Sequence, residues 1–172
     1  MSRVQRDPTS WQKLDETLAG RFAARARGLL AYEFALLDRN GGEIGRLKVH
    51  GREGAELEAG DLKARIERIA PSGYRMLSRG AEILTSTGDT TSPEITYLNR
   101  PYRARLSLLR NKAEAGPTKD NTTIRINGGL TNRNYEIIFE AGDESSLPVA
   151  LFLLYRTVAL RREAYRAGPR GD

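Results

Sequence analysis

Cysteine is absent from all 172 residues, which removes disulfides, thiolate metal sites and cysteine nucleophiles at once. Histidine is reduced to His50. A general base needs an orienting partner, and an imidazole followed by Gly51 at the end of a strand-like run reads as a surface residue. No glycine-rich phosphate loop ending in lysine, no paired metal-ligand spacing and no Ser-His-Asp set can be assembled. Neither a catalytic residue nor a metal or cofactor is therefore expected. Residues 1–27 lack the apolar core of a secretory signal, so cytoplasmic residence is expected. The longest apolar stretch, residues 147–160, spans about 21 Å as a helix, short of the roughly 30 Å of a hydrocarbon core.

That stretch is nonetheless the most informative in the chain. Leu147-Pro148-Val149-Ala150-Leu151-Phe152-Leu153-Leu154-Tyr155, continued by Thr157-Val158-Ala159-Leu160, is apolar at almost every position. A helix of this kind is buried all round. Asp143, Glu144, Ser145 and Ser146 supply charge and cap oxygens at its start, Pro148 sits where a missing N–H is harmless, and Gly168-Pro169 stops it. The expected span is 146–166, with 167–172 as a tail. At the other end of the chain, Thr9-Ser10-Trp11-Gln12 fits a capping box, and Trp11, Leu14, Leu18 and Phe22 recur at helical spacing. Residues 1–27 are expected to form an amphipathic segment with a helix of about four turns, either a lid on the main body or an interfacial helix.

From Gly28 the period becomes two. Tyr32, Phe34 and Leu36, then Leu47 and Val49, then Leu62, Ala64 and Ile66, and later Tyr102, Ala104, Leu106 and Leu108 alternate with polar residues between Gly- and Asn-rich turns. Asn40-Gly41-Gly42 and Asn127-Gly128-Gly129 are such turns, Gly45 marks a bulge, and segments 86–92 and 111–121 read as loops. Glu136 and Glu140 read as solvated charge on an outer face. The pattern predicts nine or ten one-sided strands over residues 28–140. Short turns pair them antiparallel. Their buried faces must share one core with a helix that has no wet side, so the sheet closes around it. About ten strands give a barrel roughly 20 Å across, room for a helix about 10 to 12 Å wide plus one layer of side chains. The fold class is thus mainly β: a closed antiparallel β-barrel over 28–166 enclosing a hydrophobic C-terminal helix, preceded by an amphipathic helix. A filled lumen leaves no place for an internal small-molecule ligand.

The strand pair around Tyr32-Glu33-Phe34-Ala35-Leu36-Leu37-Asp38-Arg39-Asn40-Gly41-Gly42-Glu43-Ile44-Gly45, the series of one-sided strands, and Asn134-Tyr135-Glu136-Ile137-Ile138-Phe139-Glu140 followed by an apolar helix together resemble the tubby-like superfamily. That group includes tubby C-terminal domains, phospholipid scramblases and LURP-one-related proteins. The resemblance rests on element order over roughly residues 28–166. It implies association with membrane lipid: phosphoinositide headgroups for tubby, bilayer lipids for scramblases. It also implies more strands than the pattern yields, placing further strands in stretches that read as loops. No tubby phosphate-binding motif and no scramblase calcium-site motif is matched residue by residue, and the cysteine-rich acylation segment is missing. Scramblase activity is not expected.

Net charge is +6. Residues 1–27 hold six Lys/Arg against three Asp/Glu, residues 156–172 five against two, and residues 28–155 seventeen of each, so the excess sits at the two ends. Within strands, Lys63 with Arg65 and Arg103 with Arg105 form i, i+2 pairs that project from one face, and Arg161, Arg162 and Arg166 cluster at the helix exit. The arginine fork suits phosphate. These are the candidate contacts for an anionic partner. The leading expectation is a non-enzymatic barrel that binds anionic lipid headgroups, or another anionic partner, at its surface and sits peripherally at a membrane. Nonspecific nucleic-acid binding, raised by a pI of about 9.8, and a protein-interaction scaffold are the alternatives. Nucleic acid ranks lower because Tyr74, Tyr97 and Tyr102 alternate as buried residues, leaving no stacking face.

Overall fold

Alternation carries most of the chain into strands, and in the computed structural model, which describes residues 10–30 and 32–166, they number twelve. They are β1 (Arg21–Arg27), β2 (Glu33–Leu37), β3 (Glu43–Val49), β4 (Gly54–Ala59), β5 (Leu62–Ala70), β6 (Gly73–Ser78), β7 (Ala81–Gly88), β8 (Pro93–Tyr97), β9 (Arg100–Ser107), β10 (Lys112–Gly116), β11 (Ile124–Gly128) and β12 (Asn134–Ile138). Helix α1 (Ser10–Leu18) precedes them and α2 (Ser146–Arg166) follows. Sequence neighbours are ring neighbours, every pair is antiparallel, and β12 closes on β1 with Phe22 opposite Ile137.

Closure follows from α2. Every residue from 145 to 160 is buried, and the helix packs on β3, β8, β10, β11 and β12, which lie on different sides of the ring. The lumen is therefore filled. Its wall supplies small inward residues, among them Ala24, Ala104, Ala113 and Ala115, alongside large ones such as Phe34, Tyr74 and Tyr135. Phe152 meets the Tyr74 and Tyr155 rings edge-on at 6.1 and 6.5 Å. Among the described residues no helix is long and apolar enough to cross a membrane.

An up-and-down ring has two ends. At the entry end, α1 covers the mouth through buried Leu14 and Leu18. There Trp11 Nε1 donates to Ser78 Oγ (3.1 Å) and Gly142 N donates to Asp15 Oδ1 (3.0 Å). Helix α2 enters here, crosses the barrel and leaves at the exit end, where the β1–β2, β9–β10 and β11–β12 turns lie.

Several expectations require correction, the count of nine or ten strands among them, since twelve are present. The N-terminal helix is nine residues long, not about four turns, because Ala19 and Gly20 take positive φ (52° and 91°) and reverse the chain. Residues 21–27 are then a strand of the barrel, with Phe22 and Ala24 inward, so the expected boundary at 27/28 falls beyond the first strand. Phe22 misled because it lies four residues after Leu18, at helical and at strand spacing alike. The segment 111–121 contains β10, whose inward residues are only Ala113 and Ala115 and give a faint apolar signal. The loop expected at 86–92 is shorter, since β7 runs to Gly88 with Ser86 buried. The bulge is where expected: Leu36 faces Gly45 and Leu37 faces Glu43, skipping Ile44. Thr9 of the capping box and the tail 167–172 lie outside the described residues.

Candidate anion-binding site

The neutral barrel is electrically lopsided. Residues 100–128, which build β9 to β11, hold seven Lys/Arg against two Asp/Glu, a net +5, so the rest of 28–155 carries −5. Outward residues of one strand meet those of the next in register. Arg105 on β9 faces Glu114 on β10, which faces Arg125 on β11, and Lys112 lies between Ser107 and Asn127. Arg110, in the β9–β10 turn, completes the set. A groove of about 520 Å³ on the outer wall is lined by Arg105, Ser107, Arg110, Lys112, Glu114, Arg125 and Asn127. Four cations thus surround one carboxylate. Among the described residues none of the four comes within 4.0 Å of an acid oxygen.

An anion entering this groove gains Coulomb attraction from several side at once, with two arginine forks facing each other across β10 and Ser107 and Asn127 as neutral donors. A neighbouring depression of about 410 Å³ over β7 to β10 differs. Arg103, Arg105 and Lys119 are balanced there by Asp89, Glu94 and Glu114.

The other sequence candidates are placed differently. Lys63 and Arg65 project together from β5, but Arg65 pairs with Glu67 at 2.6 Å. Lys63 stands opposite Glu58, which Arg46 engages at 3.1 Å. Arg161 donates to the Leu108 carbonyl and to Tyr165 Oη (3.1 Å), and Arg162 lies over the Tyr32 ring at 5.1 Å. These two fasten the end of α2 to the exit rim. The Arg166 side chain lies outside the described residues. His50 is exposed, 3.2 Å from Glu56. Of the candidates, only Arg105 lines the basic groove. Arg110 and Lys112 escaped notice because their segment read as a loop, and Arg125 because a lone outward arginine carries no pattern; the seven-to-two count over 100–128 was the available signal.

No protein-family profile matches the chain, and no curated protein is significantly similar to it. Among solved structures, the chain is similar to the X-ray structure of a protein from Arabidopsis thaliana, at a TM-score of 0.58 and 14% identity, over 84% of this chain and 95% of that one. At that identity the likeness is one of fold. It supports the closed twelve-stranded barrel with its terminal helix and leaves the groove to be argued from its own residues.

Beneath the groove the wall is held firmly. Asn111, at φ 49°, donates through Nδ2 to the Gly129 carbonyl (2.9 Å), and Gly128 N donates to the Asn111 carbonyl (2.8 Å). Gly128 is required here, because a Cβ would meet Asn111 Nδ2 at 2.1 Å. The buried Tyr135 hydroxyl bonds to Asn132, and burial pushes its phenol up to about 12.

Proposed function

We propose that this chain is a non-enzymatic binding barrel whose β9–β11 groove takes a multiply phosphorylated anion, with an anionic lipid headgroup as the form met in the cell. The observation that carries the reading is the convergence of Arg105, Arg110, Lys112 and Arg125 on one groove with a single carboxylate among them. Self-repulsion of clustered cations costs stability, and a polyanion relieves it. The tubby-like resemblance belongs to the same proposal, supported by the closed barrel and the buried terminal helix, and peripheral placement on the cytoplasmic side of a membrane is its corollary. Nucleic acid is the weaker anionic partner. Sequence-tolerant strand binding uses exposed aromatics for stacking, the groove lining has none, and Tyr74, Tyr97 and Tyr102 point inward and are buried.

Two arms test the reading and separate its sources. Titration with soluble inositol hexakisphosphate asks whether the groove binds phosphate at all; flotation with phosphatidylcholine vesicles, with and without phosphatidylserine, asks whether a lipid surface presents it. Binding weakened by Arg105→Glu in both arms is the expected result. Equal flotation with and without anionic lipid at low salt, or titration indifferent to Arg105→Glu, overturns it. Stronger binding of an oligonucleotide than of either probe would favour the nucleic-acid alternative.

A further inference from the structure

A single leucine in water is ordinary, but three neighbouring turns of this barrel each present one fully. Leu29 is 98% exposed, Leu109 95% and Leu130 91%, and Leu30 beside the first is exposed as well. They come from the β1–β2, β9–β10 and β11–β12 turns. In the ring the strands run β2-β1-β12-β11-β10-β9, so these three turns are consecutive at the exit end. Residues as far apart in sequence as Leu29 and Leu130 thus form one apolar crest.

The crest is built on a fixed base. Arg133 Nη2 donates to the Gly28 carbonyl (2.8 Å), which ties the first turn to the third. Asn111 ties the second to the third through the Gly129 carbonyl (2.9 Å). From α2, Arg161 donates to the Leu108 carbonyl, and Tyr165 Oη donates to the Leu130 carbonyl (3.4 Å). Backbone polar groups are satisfied from below, and the leucine side chains are left above. No Asp or Glu occurs in the described residues of the three turns, while Arg110 and Arg133 stand within them.

Apolar tips over a cationic collar match the layers of an anionic bilayer, hydrocarbon beyond a phosphate plane. Exposed tyrosine beside them, as Tyr165 and Tyr32 are, suits the headgroup level. Charge continuity fixes the orientation further. Arg110 belongs to the crest and to the basic groove together, so a barrel seated on its exit end brings the groove down to the phosphates. We infer that the exit end is a membrane-docking face that inserts Leu29, Leu109 and Leu130 shallowly into an anionic bilayer, with the barrel standing on the membrane and α1 pointing away from it. This inference is carried by the leucines, not by the groove, and extends the reading above from a headgroup site to an orientation.

The absence of cysteine makes the test clean, because a single introduced thiol takes a single fluorophore. The polarity-sensitive dye NBD is attached to Leu109→Cys, to Leu130→Cys and, as a control in the β4–β5 turn at the entry end, to Asp61→Cys. Each protein is mixed with vesicles of phosphatidylserine and phosphatidylcholine. Emission at positions 109 and 130 should shift to the blue, brighten several-fold and be quenched by acyl-chain doxyl lipid, while position 61 stays aqueous. The double variant Leu109→Ser/Leu130→Ser should bind these vesicles at least about tenfold more weakly and bind inositol hexakisphosphate unchanged. Aqueous emission at 109 and 130 on vesicle-bound protein overturns the inference, as does an equal blue shift at 61. Failure of the unsubstituted protein to bind vesicles while it still binds inositol hexakisphosphate sinks the docking face and spares the groove; failure of the unsubstituted protein to bind inositol hexakisphosphate, with vesicle binding and the blue shifts intact, sinks the groove and spares the docking face.

Discussion

Two walls of the same barrel handle charge in opposite ways. Over β2 to β7, arginines find acids across the strands, where Arg46 reaches Glu58 at 3.1 Å and Glu33 at 3.5 Å and Arg75 reaches Glu67 at 2.9 Å and Glu82 at 3.8 Å, and along one strand, where Arg65 also meets Glu67. Over β9 to β11, Arg105, Lys112 and Arg125 face outward around Glu114 without closing an ion pair among the described residues. Register shifts occur between β2 and β3, β5 and β6, and β6 and β7 and are absent from β9 to β11, so the unpaired wall does not lack pairing geometry. What differs is composition. An exposed ion pair contributes only about 0 to 1 kcal/mol, so neither arrangement is what folds the barrel. The paired wall is charge kept neutral and soluble. The other wall stores a field that an anion can use, and net charge summed over the whole barrel conceals it.

Both walls hang on the same core, and the largest perturbation should show that. Phe152→Ala empties a fully buried site and should cost about 3 to 5 kcal/mol, with both walls lost in one transition when melting is followed by circular dichroism and by NBD at Leu109→Cys. Deleting residues 147–172 should yield insoluble protein; a cooperative melt from that truncation would show that the walls stand without α2. The next effect arises on β12, beside the unpaired wall, where the Tyr135 hydroxyl bonds Asn132 beneath the β11–β12 turn. Its phenol ionises near 12 when folded and near 10 when unfolded. The neutral ring thus contributes fully below about pH 10, and stability falls as pH rises from there toward 12, by about 2 to 3 kcal/mol at most. Tyr135→Phe should flatten that alkaline limb in urea titrations at pH 9 to 11; an unchanged limb would assign it to other tyrosines, of which burial also raises Tyr155.

Charge reversal sharpens the comparison directly. Arg105→Glu with Arg125→Glu should weaken inositol hexakisphosphate binding by tenfold or more, about 1.4 kcal/mol, and leave the melting temperature nearly unchanged. Smallest of all, Glu67→Gln on the paired wall removes the acid shared by Arg65 and Arg75. It should cost no more than about 1 kcal/mol by denaturant titration and leave anion binding unmoved. Stronger anion binding by this variant would show that a single acid keeps the paired wall from acting as a second anion site.

Local sequence carries some of these elements plainly and others faintly. Leu147 to Leu160 has no polar stripe, so a surrounding wall followed from the run itself, and alternation at Tyr102 to Leu106 needed no partner to be recognised as a strand. Phe22 satisfies two periods at once, and the inward residues of β10 at alternating positions are alanines, whose apolar signal is faint. With β10 hidden, Arg110 and Lys112 have no visible neighbours, and the sequence pairs Arg105 with Arg103 rather than with the row it forms beside Glu114 and Arg125.

Period, burial and the run of the terminal helix are properties of neighbouring residues, so the amino-acid sequence by itself determined a closed β-barrel with its lumen filled. Which cations meet is a property of strand order and register. Residues 105, 112 and 125 become neighbours only when three strands pair, and Leu29, Leu109 and Leu130 form one crest only when the ring closes β12 onto β1. Those contacts span long stretches of chain, leave no periodic trace, and were decided by the tertiary structure alone.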